Sequence, residues 1–141
     1  FETDILELIF ENATLADIGD GTGLVGSTLA GSLFIALFTA DPTDTGSVAN
    51  EATYTSYTRA AIGRTGANWT TALGATENTN AITFAACTGG SDTITHFGIM
   101  KSGTPTTDDM IYGGALDAPS LSILSGITPQ FAPGALDVTE D

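Results

Sequence analysis

The sequence predicts a mainly β fold: an antiparallel β-sandwich, jelly-roll-like or immunoglobulin-like, of about eight short strands with a short N-terminal helical arm. Three observations predict it. Short apolar or alternating runs recur along the chain, separated by clusters of Gly, Pro, Asn, Asp and Ser. Threonine, β-branched and soluble, fills the positions that suit the wet face of a sheet. The strands follow one another at short spacing, which argues against alternating β and α units. A length of 141 residues fits one domain, able to bury about two-thirds of its unfolded surface.

The elements follow in order. Asp4, with Glu7 three residues later, makes a capping-box pattern, and both carboxylates favour the positive end of a helix. Ile5, Leu6, Leu8, Ile9 and Phe10 then form an apolar face too wide to sit in water. Residues 17–23 are a loop by composition. The boundary expected from this pattern places an arm and Gly-rich loop at 1–32 and the β-sandwich domain at 33–141.

Residues 33–39 are apolar on both faces, as in a buried strand, and are stopped by Asp41-Pro42. A polar loop runs to Asn50. Residues 54–62 alternate, and Trp69 sits in a short polar strand or hairpin arm. Residues 78–80 turn the chain, 81–86 alternate around Ile82 and Phe84, and Gly89-Gly90 turn it again. Residues 94–100 form the next strand, followed by a loop at 102–109 and strands at 111–116, 121–124 and 135–139.

Charge narrows the function. Seventeen acidic residues stand against three basic ones (Arg59, Arg64 and Lys101), a net charge of −14. A nucleic-acid backbone or an anionic membrane surface needs Lys and Arg, so neither is expected as a partner. No signal peptide is read at the N-terminus, where Glu2, Asp4 and Glu7 replace the positive region such a segment needs. The most apolar stretch, 24–40, is interrupted by Gly26, Ser27, Thr28, Gly31 and Ser32, and is not expected to span a membrane.

Candidate chemistry is sparse. Residues 21–26 match G-x-G-x-x-G, but an acidic loop precedes them, and Asp17 and Asp20 would repel a pyrophosphate. Cys87 and His96 are the one thiol and the one imidazole; the thiol ends an apolar strand, where a buried, inert cysteine is expected. Asp17, Asp20 and Thr22, or Asp41 and Asp44, offer oxygen ligands without the frame of a calcium loop. Asn12 and Asn68 head sequons in form only. Trp69, Tyr54, Tyr57 and Tyr112 suit a sugar-binding face or a packed core. Arg59 and Arg64 stand out by scarcity, each able to pair with a carboxylate within the sheet or across an interface. No catalytic residue, metal site or cofactor is expected.

Several blocks in order resemble one family of small tailed-bacteriophage virion proteins, commonly labelled tail-fibre proteins. They are Leu33-Phe34-Ile35-Ala36-Leu37-Phe38-Thr39-Ala40-Asp41-Pro42, then Asn50-Glu51-Ala52-Thr53-Tyr54 leading to Tyr57-Thr58-Arg59. Ala81-Ile82-Thr83-Phe84, Ile94-Thr95-His96-Phe97-Gly98-Ile99, Gly113-Gly114-Ala115-Leu116 and Leu136-Asp137-Val138-Thr139-Glu140-Asp141 follow, and Asp4-Ile5-Leu6-Glu7 opens the series. The resemblance implies a structural virion protein. Related small β-sandwich proteins decorate phage heads, and the chain has no coiled-coil heptads or fibrous repeat. The first expectation is therefore a capsid decoration (cement) protein on the outer head surface that bridges capsomers. Its partners would be the major capsid protein and further copies of itself, as a homotrimer. Ile5, Leu6, Leu8, Ile9, Phe10, Arg59 and Arg64 are the expected capsid or subunit interface. The alternative is a tail, tail-fibre or baseplate component that contacts host glycans.

Overall fold

The six-residue run Leu-Phe-Ile-Ala-Leu-Phe, opened by Ser32, becomes strand β1 (Ser32–Phe38), five of whose seven residues are buried. The computed structural model describes residues 1–16, 18, 23–106 and 108–140. Among these residues the fold is mainly β: eleven strands, all paired antiparallel where a register is defined, and one short N-terminal helix. This is the class expected of a β-sandwich. Among the described residues no helix is long and apolar enough to cross a membrane.

The described chain forms two compact units. The first comprises Phe1–Ser32, Ile62–Ile82 and Phe131–Asp141; the second comprises Leu33–Ala61 and Thr83–Gln130.

In the second unit β1 pairs with β7 (His96–Met100), which pairs in turn with β8 (Met110–Ala115). With β2 (Ala60–Gly63) on the other side of β1, the sheet order is β2-β1-β7-β8. The two-residue period of a strand puts Phe34, Ala36 and Phe38 on one face. There Ala36 and Phe38 pack with Met100, and Phe34 and Met110 close the cluster. Opposite Ala36 stands Gly98. A Cβ at that position would lie 2.9 Å from the Phe38 ring, so any larger residue there would force the ring to shift. A second ladder joins β6 (Ser91–Ile94) to β9 (Leu121–Leu124), burying Ile94 and Ile123.

In the first unit β3 (Trp69–Ala72) and β4 (Ala75–Asn78) form a hairpin, and β11 (Asp137–Thr139) adds to the far side of β4. The turn residues Leu73 and Gly74 both have positive φ, 54° and 77°, the twist that a two-residue hairpin requires. The helix α1 (Glu2–Leu6) runs into a π-helical turn at Glu7–Glu11 and packs on β3 and β4. Leu6 and Phe10 are fully buried, and the Phe10 ring meets Trp69 edge-on at 4.7 Å. The remaining short pair is β5 (Ile82–Thr83) with β10 (Gln130–Phe131).

Four local expectations need correction. The helix starts at Glu2, so Asp4 lies in its first turn instead of capping it; its charge still faces the positive end. Of the strand expected at 54–62 only the end forms, because Ser56 takes φ 80° and the Tyr57 N–H turns back to the Tyr54 carbonyl. The strand at 81–86 shortens to two residues, after which the Phe84 and Cys87 N–H groups donate to the Pro129 and Ile127 carbonyls. The expected strand at 94–100 divides at Thr95, whose N–H donates to the Phe38 carbonyl, and β6 extends back to Ser91.

Candidate functional site

The most concentrated chemistry lies in the second unit, around Arg59. Its side chain is closed from solvent, and those of Glu51 and Asp109 are only 5% and 8% exposed. Arg59 Nε and Nη2 donate to Glu51 Oε1 and Oε2 at 2.8 and 2.9 Å, a two-pronged pair. Nη1 donates to Asp109 Oδ2 at 2.8 Å and to the Ser102 carbonyl at 2.7 Å. The Tyr57 hydroxyl donates to Glu51 Oε1 at 2.9 Å and accepts the Leu37 N–H of β1. One guanidinium thus fastens the segments at 51, 102 and 109.

Electrostatics follow from this packing. Burial opposes the charge on Arg59, but the hydrogen bonds and charges of Glu51 and Asp109 outweigh it and raise its pKa. Burial pushes the Tyr57 phenol well above its usual value, with the Glu51 carboxylate adding to the effect. Two carboxylates share one cation, and Asp109 Oδ1 is buried without a hydrogen-bond partner. A proton donor or acceptor held this way is committed to structure, not exposed to a substrate.

Arg64 does comparable work in the first unit. Its Nε and Nη2 donate to the Ile9 and Leu8 carbonyls, and Nη1 donates to the Ala30 carbonyl at 3.1 Å. Carbonyls near the end of a helical turn lack intrahelical partners and carry partial negative charge, so a cation there satisfies both needs. Asn12 in the left-handed conformation ends the turn, and its amide and carbonyl bond the Ser27 backbone in both directions.

The other candidates are dispersed. Leu6 and Phe10 are core residues, while Ile5, Leu8 and Ile9 are half-buried. The side chains of Leu6, Phe10 and Arg59 are buried within their own chain. Cys87 is buried and its thiol donates to the Gly89 carbonyl at 3.2 Å. His96 is bonded instead to the Thr95 hydroxyl, through Nδ1 at 2.9 Å, so the thiol and imidazole are engaged separately. His96, Asp41 and Asp44 line an open cleft of about 200 Å³ beside β8. The Asp41 carboxylate accepts the Thr43 N–H, and no group of three or more His, Cys, Asp or Glu among the described residues converges as a metal set. Asp17, Asp20 and Thr22 lie outside the described residues, as does Gly21, which opens the glycine motif.

An aromatic sugar platform does not form around Trp69. Trp69 is 1% exposed and Tyr54 is 3% exposed, and they belong to different units. Tyr54 packs edge-on against Tyr57 at 5.3 Å and donates to the Ala85 carbonyl. Large flat side chains were drawn inside because they close small cores efficiently. Sequence reasoning missed Glu51, Asp109 and Asp92 as partners. Asp92 Oδ2 accepts both the Thr53 and Tyr54 N–H groups at 2.7 Å. Only the scarcity of arginine pointed toward such pairing.

The family described as podophage GP4 fiber I protein gp80 matches residues 8–139, nearly the whole chain. The chain belongs to this family. No curated protein matches it. Membership in the gp80 family makes the chain a bacteriophage structural protein of the virion, of fibre type. The family description names a fibre, which favours the tail over the head decoration expected first.

Proposed function

We propose that the protein is a non-enzymatic structural component of a podophage tail fibre. The match to a fibre family across residues 8–139 carries this reading. The side-chain chemistry is consistent with it: the two arginines are consumed as internal fasteners, one in each unit. A fibre component needs persistence and defined contacts, repeated over copies that act together. It does not need a poised nucleophile, and the Cys87 thiol is buried and bonded to backbone.

The test is co-sedimentation of purified protein with virion parts lacking it. Saturable binding to tails, and none to expanded heads, is the expected result. Binding to heads alone would overturn the tail placement and restore the decoration reading.

A further inference from the structure

The chain carries −14, yet one face of the second unit presents no ionised group. The face is built from β9, the turn after it, β6 and the segment around Thr88. Leu124 and Ile127 are 56% and 43% exposed there, while Leu121 shares the opposite face of β9 with the buried Ile123. Their exposed neighbours are Ser91, Thr93, Ser122, Ser125, Thr128 and Thr88, all uncharged. The acid within β6, Asp92, is half-buried and committed to the Thr53 and Tyr54 N–H groups. Between positions 110 and 136 the sequence holds one charged residue, Asp117.

β9 is also an open edge. It pairs with β6 on one side, and its other side meets no described strand. Edge strands of soluble proteins usually carry a lysine, a proline or a bulge that blocks pairing with another chain. The sequence of β9, Leu-Ser-Ile-Leu, has none of these.

We propose that copies of this chain associate through this face, centred on Leu124 and Ile127. The charge distribution selects the occupant. Arg59 is buried between its carboxylates, the half-buried Arg64 is bonded to backbone carbonyls, and the Lys101 ammonium bonds the Asp108 carbonyl of its own loop. A second copy therefore offers little positive charge to meet an acidic surface, and self-contact is favourable where acids are absent. Two exposed aliphatic side chains, Leu124 and Ile127, beside an open strand edge supply the apolar contact. The inference does not depend on tail or head placement.

The test is the solution mass of the purified protein by light scattering and sedimentation velocity, at tens of micromolar. The wild type is expected at a multiple of 14.3 kDa. The double variant Leu124→Asp/Ile127→Asp is expected to run as a single chain with its circular dichroism unchanged. Leu73→Asp, at a fully exposed turn position of the first unit, should leave the mass as in the wild type. Raising salt should strengthen association, because it screens repulsion between like-charged copies. A monomeric wild type, or an oligomer that survives the double variant, would overturn the proposal. So would dissociation on adding salt, which would mean an interface of charge pairs.

Discussion

Replacing Arg59 with methionine keeps most of the side-chain length and removes the cation between Glu51 and Asp109. The wild-type guanidinium makes three charge-assisted hydrogen bonds to these carboxylates and one bond to the Ser102 carbonyl. Both carboxylates are nearly closed from water. Removing one partner of such a buried set costs about 3–5 kcal/mol, since the stranded charges cannot be rehydrated in place. At about 2–4 °C per kcal/mol for a chain of this size, the midpoint of thermal unfolding should fall by about 6–20 °C. Asp109→Asn gives a sharper comparison. It keeps an acceptor for Nη1 and removes the excess negative charge of a cluster in which Asp109 Oδ1 already lacks a partner. Its cost should stay within about 1.5 kcal/mol, the scale of a neutral hydrogen bond. Urea unfolding followed by circular dichroism at pH 7 measures both variants. A loss below about 1 kcal/mol for Arg59→Met, or equal losses for the two, would refute the reasoning.

Arg64→Gln removes the cation from the Leu8, Ile9 and Ala30 carbonyls; it should cost roughly 1.5–3 kcal/mol and raise amide exchange in residues 1–13. Tyr57, whose phenol is raised by burial and then by Glu51, makes stability fall in alkali. The unfolded phenol loses its proton near pH 10 while the folded one keeps it, so the unfolded state binds fewer protons and the slope of stability against pH is negative. The loss should reach up to about 1.4 kcal/mol per pH unit above pH 10, and Tyr57→Phe should flatten it in urea titrations from pH 9 to 11. Tyr54 is raised in the same direction, chiefly by burial. Cys87, 1% exposed, should react with a thiol reagent only as fast as the protein opens; rapid labelling under native conditions would contradict its burial.

Strands marked by contiguous apolar residues were legible, as β1, β8 and β9 illustrate. β4 was not, because its inward positions are Thr76 and Asn78, each 1% exposed. Asn78 is affordable inside because its amide donates to the Asn80 and Ala132 carbonyls and its oxygen accepts the Leu136 N–H. Thr76 accepts from the Thr71 hydroxyl across the hairpin. An alternation of polar residues that face inward looks like a turn until those distant partners are known. The apolar helical face was recognised, but its burial depends on Trp69, more than fifty residues away in sequence. Arg59 was noticed by scarcity; its partners at 51 and 109 are brought together by the fold and share no local signature.

Immunogold electron microscopy of intact virions, with antibody raised against the purified protein, tests the central reading most directly. Label confined to the tail apparatus is the predicted result. Label distributed over the head surface, with bare tails, would contradict a fibre component.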